Sequence, residues 1–393
     1  ASLIDYSTSG LENGLGMLVI AATIAAADRV LEWHRGWGLL GLTFAAVILT
    51  RFDFIMLVGP LAILVLVESF RRGWHVTARL VGGFVAPLVG WFAISWLYFG
   101  SLLPNTFKAK LNVDIPRSEL LVSGLRYVIV SAEADPVVIV IIAAGILGAI
   151  AAGRRRHLAV AAGILLYAAY TIYIGGDFMA GRFLTGPAVA ALSIVATTAF
   201  GETRTTRSIV AGLIAVAVAF GATPMIIDRP TYESSQRWDF ATRGGIADEA
   251  GYYRQGGWSL PAALLENGGD VEFPASELAP VRLWQLRRLE HHWTHVEPEP
   301  KGTARRLAVY CGGLGGIGMK GGPTLFVIDS CALTDAFLAD IAWRPEAPYQ
   351  WRVGHYSRVL PAGYEDAVRF ADPSYVTDPV LRSALERLWQ RIR

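Results

Sequence analysis

Four short polar stretches interrupt the apolar first half of this 393-residue chain, and their residue types suggest a chemistry. Residues 9–13 read Ser-Gly-Leu-Glu12-Asn13, and residues 51–53 read Arg51-Phe-Asp53. Residues 103–110 read Leu-Pro-Asn105-Thr106-Phe-Lys108-Ala-Lys110, and residues 175–183 read Gly-Gly-Asp177-Phe-Met-Ala-Gly-Arg182-Phe. Guanidinium and ammonium groups beside a bilayer can hold a phosphate through charge-assisted hydrogen bonds. Carboxylates in the same place can activate a hydroxyl or steady positive charge developing on a sugar ring. A sugar carried on a lipid phosphate would need both. Each stretch also has a plainer use. Glu12 suits the positive end of a helix dipole, Arg51 and Asp53 can pair with each other, Lys108 and Lys110 can snorkel toward headgroups, and Asp177 can bond the backbone of its Gly-Gly turn. A fifth stretch, Trp351-Arg352-Val-Gly-His355-Tyr-Ser-Arg358, suits sugar stacking and hydroxyl binding, and equally a strand with mixed faces.

The elements that must position these groups follow from composition. The chain is 53% apolar and only 17% charged, against about a quarter charged for a soluble domain. The asymmetry is internal. Residues 1–224 carry 16 basic and 12 acidic side chains, whereas the shorter remainder carries 19 and 21. Eight apolar runs stand out in the first part, at 14–27, 37–50, 54–70, 80–99, 136–152, 158–174, 183–200 and 208–224. A membrane crossing takes roughly 20 such residues, so the first two are short. Runs such as 136–144 are apolar all round, which a helix on a soluble core would not be. With eight crossings, ten arginines (29, 35, 71, 72, 79, 154, 155, 156, 204 and 207) fall in four short loops on one side, the cytoplasmic side by the positive-inside rule. The four polar stretches then share the other side. Residues 118–132 within the long loop read as an interfacial helix. The expected fold is therefore a polytopic α-helical membrane domain over 1–224 with about eight transmembrane helices. A soluble extracytoplasmic α/β domain over 225–393 follows it, with helices at 276–292 and 378–392 and strands at 307–310 and 325–328.

Several classes are disfavoured. A net charge of +2 without a basic face argues against nucleic acid. Gly312-Gly-Leu-Gly-Gly-Ile-Gly follows a strand, but no acid sits at the spacing a dinucleotide site needs. His291, His292 and His295 lack the HExxH context of a zinc site, so no metal ligands are assigned and a divalent cation is left open. Cys311 and Cys331 are the only cysteines, and whether they pair depends on a Cα separation the sequence does not show. A transporter would gather polar groups near the bilayer midplane, whereas these sit at the rim. A membrane anchor for a carbohydrate-binding domain is a further alternative.

Taken together, the Ser-Gly-Leu-Glu-Asn, Arg51-x-Asp53, Pro-Asn-Thr-Phe-Lys, Gly-Gly-Asp-Phe-Met and Trp-Arg-Val-Gly-His strings resemble the actinobacterial terminal arabinofuranosyltransferases of the cell wall, over nearly the whole chain. Arg51-Phe52-Asp53 departs from the Arg-Pro-acid form of related transferases. The resemblance implies a GT-C-type glycosyltransferase of the bacterial plasma membrane that moves arabinofuranose from decaprenyl-phospho-arabinose to arabinan of arabinogalactan or lipoarabinomannan. It places Asp177 and Glu12 in the catalytic cavity and turns Arg51, Lys108, Lys110 and Arg182 toward the donor phosphate. Asp53, Asn105, Thr106, Arg352, His355 and Arg358 are left for sugar or acceptor. Such enzymes carry a leading catalytic Asp after their first helix. The chain opens at Ala1 without that helix, so the expectation is that this residue lies upstream. Net retention implies more than a single base, and no nucleophile is evident. The same scaffold could instead move mannose or aminoarabinose.

Overall fold

A computed structural model of the chain describes residues 2–7, 11–201, 212, 242–243, 245–247, 306–311, 325–344 and 353–392. The described residues are mostly helical. They divide into two compact units, residues 1–92 with 117–252 and residues 93–116 with 253–393. The segment 93–116, which belongs to the first half in sequence, thus packs with the C-terminal residues.

The first unit contains α1 (Ser2–Ser7), α2 (Asn13–Trp33), α3 (Trp37–Thr50), α4 (Phe54–Arg72) and the greater part of α5 (Trp74–Phe99). After the excursion into the second unit come α7 (Arg117–Ala134), α8 (Pro136–Ala152), α9 (Arg155–Tyr173) and α10 (Thr185–Gly201). Seven of the eight apolar runs fall on these helices, and 208–224 lies outside the described residues except for Gly212. Among the described residues three helices, α2, α4 and α5, are long and apolar enough to cross a membrane, or four if the bent pair α7–α8 is one span. Helix α3 has only 14 residues, about 21 Å at the α-helical rise, shorter than a hydrocarbon core of about 30 Å. Helix α2 outruns its apolar stretch, continuing through Asp28, Arg29 and Glu32 to a left-handed cap at His34. The break between α7 and α8, where the axis turns by 106°, is local chemistry. Pro136 disfavours helix at the residue before it, and the Asp135 carboxylate accepts from Val138 N at 3.3 Å to start α8.

Small residues set the packing. A Cβ at Gly163 on α9 would overlap the Leu57 carbonyl of α4, and one at Gly145 on α8 would meet Ala191 of α10. Helices in lipid lack a hydrophobic drive to associate and gain instead from such close approach. Leu15 and Leu18 on α2, Ile63 on α4, Val85, Val89 and Trp91 on α5, and Leu121, Leu125 and Ile129 on α7 all face outward. So many exposed large apolar side chains on four helices are consistent with faces that meet lipid. Helix α7 buries Leu120, Ser123, Gly124, Tyr127 and Ser131, so the segment expected at 118–132 is a helix with one packed and one apolar open face. Two short strands, β1 (Thr242–Arg243) and β2 (Ile246–Ala247), close on each other, and β2 adds a bridge to Met179.

The second unit joins β3 (Arg306–Tyr310) and β4 (Leu325–Asp329) as a parallel pair, Arg306 opposite Leu325 and Tyr310 opposite Asp329. The strands expected at 307–310 and 325–328 are therefore present. Among the described residues, helices α6 (Asn105–Leu111), α11 (Ala336–Ala339), α12 (Tyr364–Phe370) and α13 (Pro379–Ile392) accompany them in this unit. Its core gathers Ala109, Leu307, Ile328, Phe337, Leu338, Tyr364 and Leu385. Cys311 and Cys331 form a disulfide with Cα atoms 5.1 Å apart. The expected helix at 276–292, the histidines at 291–295 and the glycine run from 312 lie outside the described residues.

Candidate active site

Five of the expected residues meet in the first unit because each sits at a helix end. Asn13 opens α2, which makes Glu12 its N-cap. Arg51 ends α3 in extended conformation, and two residues later Asp53 is the N-cap of α4. Asp177 follows α9 across a turn in which Gly175 and Gly176 both have positive φ, 92° and 80°. A Cβ at Gly176 would also overlap the Tyr127 ring, so glycine is required there on two counts. Arg182 then begins a 3₁₀ turn, Arg182–Leu184, that leads into α10.

The side chains form one chain of ion pairs. Arg51 holds Asp53 with two hydrogen bonds, Nε to Oδ1 at 3.0 Å and Nη2 to Oδ2 at 2.6 Å, the bidentate geometry a planar guanidinium favours. Its Nη1 reaches Glu12 Oε1 at 3.3 Å, and the same carboxylate oxygen accepts from Arg182 Nη2 at 2.7 Å. Arg182 Nη1 continues to Asp177 Oδ2 at 3.3 Å. The Arg51 guanidinium also lies 4.5 Å from the centre of the Phe183 ring and 5.0 Å from that of Phe54. Burial pushes the Glu12 and Asp53 carboxyls up, yet both end below the ordinary carboxylate range. For Glu12 the Arg182 and Arg51 charges outweigh burial, and for Asp53 Arg51 and the Tyr167 hydroxyl do.

Two partners were not singled out as site residues from sequence. Tyr167 donates to Asp53 Oδ2 at 2.8 Å, but it stands with Tyr170 and Tyr173 inside the apolar run of α9, where nothing local sets one tyrosine apart from the others. Asn13 donates to the Arg182 carbonyl at 3.2 Å and to Thr185 Oγ1 at 3.0 Å. Its place next to Glu12 in the first polar stretch was the available hint.

Three carboxylates face two guanidiniums, so the cluster carries one excess negative charge. Its polar capacity is also incompletely used. Asp177 is 1% exposed, and its Oδ1, like Arg182 Nε and Asn13 Oδ1, is buried without a hydrogen-bond partner. A buried, unpaired carboxylate oxygen is costly and is a ready acceptor for a hydroxyl. Among the described residues no three His, Cys, Asp or Glu side chains gather to hold a metal ion.

The remaining expected residues belong to the second unit. Helix α6 carries Asn105, whose amide donates to the Thr334 carbonyl at 3.3 Å, and Thr106, which is exposed. Lys108 pairs with Asp340 at 3.1 Å. Lys110 is half-buried against Gly354, beside His355, so the Pro-Asn-Thr-Phe-Lys and Val-Gly-His stretches do adjoin. Arg352 lies outside the described residues. Arg358, expected at sugar or acceptor, is used differently. It is 4% exposed and donates to the carbonyls of Ile341, Cys331, Tyr356 and Ala109 at 2.8–3.2 Å. Four irregular loop and helix-end carbonyls need a donor, and the guanidinium supplies it, which makes Arg358 an internal strut. No family model matches the chain, and no curated protein or solved structure matches it either.

Proposed function

We propose that this protein is a membrane glycosyltransferase that takes arabinofuranose from a polyprenyl-phosphate donor and adds it to the end of an arabinan chain of the cell wall. The observation that carries this reading is the buried cluster at the helix ends. Asp177 keeps a carboxylate oxygen free beside a guanidinium with a free N–H, on elements whose outward faces are apolar. In transfer, the bond from the anomeric carbon to phosphate oxygen breaks and a bond to an acceptor hydroxyl oxygen forms. The lipid phosphate leaves with the electron pair, and the hydroxyl proton must find a base. Asp177 suits the hydroxyl side of that exchange and Arg182 the anionic side, with Glu12 holding Arg182. Arg51 and Asp53 neutralise each other and act as positioning residues. In this reading all eight apolar runs cross a bacterial plasma membrane, the ten loop arginines face the cytoplasm, and the cluster faces outward.

The test is transfer from labelled polyprenyl-phospho-arabinose to an arabinan oligosaccharide by membranes holding the full-length protein. Transfer is expected to fall at least about a hundredfold in Asp177→Asn, with the unfolding midpoint unchanged because Arg182 keeps Glu12. No transfer by wild type from an intact donor refutes the reading. Competition by polyprenyl-phospho-mannose sorts the sugar.

A further inference from the structure

At the other end of the same helices lies a cavity of about 410 Å³, lined by Leu31 of α2, by Leu64, Val67, Glu68 and Arg71 of α4, and by Arg154, Arg155 and Arg156 where α8 turns into α9. Glu12 and Asp53 stand at the first residues of α2 and α4, whereas these lining residues stand near the last turns. The cavity therefore has no part in the cluster above. Its chemistry is one-sided. Four arginines and one glutamate line it; that glutamate is already engaged by Arg72 at 2.8 Å, and Arg154 has a partner of its own. Arg156 is paired with Asp28 at 3.2 Å, and Arg71 approaches Glu68 only to 3.9 Å. The exposed Arg155 has no ion pair among the described residues. Helix α9 starts here with Arg154 as N-cap and no side chain capping it, so the positive end of its dipole adds to the same field. The rest of the lining, Leu31, Leu64 and Val67, is aliphatic.

We propose that this cavity binds the headgroup of an anionic phospholipid, the phosphate between Arg71 and Arg155 and the first acyl methylenes on Leu31, Leu64 and Val67. The aliphatic side selects a lipid over free phosphate, because a small hydrated anion gains nothing from it. Basic pockets between helices at a membrane surface are suited to such headgroups, each arginine contributing a few-fold in affinity. The inference needs the helices to lie in a bilayer, but it is independent of glycosyl transfer.

The experiment titrates the purified full chain, in a zwitterionic detergent, with dioctanoyl phosphatidylglycerol, dioctanoyl phosphatidylcholine or inorganic phosphate, and reads bound adducts by native mass spectrometry. Saturable binding of phosphatidylglycerol is expected, with little of the other two. R71Q/R155Q should bind roughly thirtyfold more weakly, whereas R35Q/R79Q, which removes two arginines outside the cavity, should change binding less than twofold. Val67→Trp fills the cavity wall without altering charge and should also weaken binding. Equal loss in both arginine pairs would mean a diffuse positive surface and overturn the site. Undiminished binding by Val67→Trp, or competition by inorganic phosphate at equal concentration, would overturn the lipid assignment.

Discussion

Removing the Arg51 guanidinium offers the sharpest test of the buried cluster, because its expected cost can be separated into parts. The Arg51 and Asp53 side chains are 9% and 15% exposed, low enough that solvent does little to screen them. In Arg51→Met, Asp53 keeps the Tyr167 hydroxyl and Glu12 keeps Arg182, but two excess negative charges remain instead of one. Breaking a buried pair from one side typically costs about 3–5 kcal/mol. Removing both charges of a buried pair costs far less than removing one, so Arg51→Met/Asp53→Asn, in which the amide oxygen still accepts from the buried Tyr167 hydroxyl, should recover most of that loss. What it does not recover is the stacking of Arg51 on Phe54 and Phe183, about 0.5–1 kcal/mol for each ring. The double variant should therefore sit about 1–2 kcal/mol below wild type, and the single variant at least about 2 kcal/mol lower still. Midpoints of unfolding of the purified protein, titrated with a denaturing detergent, would read the order. A double variant no more stable than Arg51→Met would refute the charge argument and assign the loss to packing alone.

Three further outcomes follow from the same geometry. Gly163→Leu should destabilise the first unit by at least about 3 kcal/mol, since overpacking costs 1–3 kcal/mol where side chains can yield and the obstacle here is the Leu57 backbone; thermal unfolding in detergent would show it. Glu12 has a lowered folded-state pKa, so its contribution is complete above an unfolded value of about 4.3 and is lost as pH falls through the folded value. Wild type should consequently lose more stability than Glu12→Gln between pH 5 and pH 3, at roughly those limits, as followed by circular dichroism. Reducing Cys311–Cys331, which closes a separation of 20 residues, should cost about 3 kcal/mol, visible as a lower unfolding midpoint in dithiothreitol.

Period and punctuation made the elements legible. Apolar runs bounded by Arg51–Asp53 and by the Gly175-Gly176 pair read as helices meeting at tight turns, and both turns stand there, whereas the sharp α7–α8 break at Pro136 lay at the end of what read as a long loop. Strands β3 and β4 were legible as short apolar runs, Leu307–Tyr310 and Leu325–Ile328, set off by Gly- and Pro-containing connections. The assignment of 93–116 to the second unit was not legible. Asn105, Ala109 and Asn112 reach backbone or core groups more than 200 positions away, as in Asn112 to the Ala339 carbonyl at 3.4 Å, and no local pattern encodes a partner at that separation. The same holds for Tyr167, whose hydroxyl acquires meaning only when α9 lies beside α4.

Residue type and role separate most clearly at the arginines. Arg51, Arg182 and Arg358 were equal candidates as anion or sugar ligands, since a guanidinium in a polar stretch looks the same whatever it faces. Their surroundings divide them. Arg358 is consumed by four carbonyls and Arg51 by a bidentate carboxylate, a second acid and two aromatic rings, so a ligand could recruit either only by displacing bonds already made. Arg182 shares its charge between Glu12 and Asp177 and still keeps a buried N–H unpaired. Binding there satisfies a group that is otherwise left unpaired, and the same is true of Asp177 Oδ1. Unspent hydrogen-bonding capacity, rather than charge, therefore marks Asp177 and Arg182 as the pair in this cluster with most to gain from a substrate. Asp177→Asn, which keeps the size of the side chain and an oxygen for Arg182 but removes the charged acceptor, should silence the site without loosening the fold.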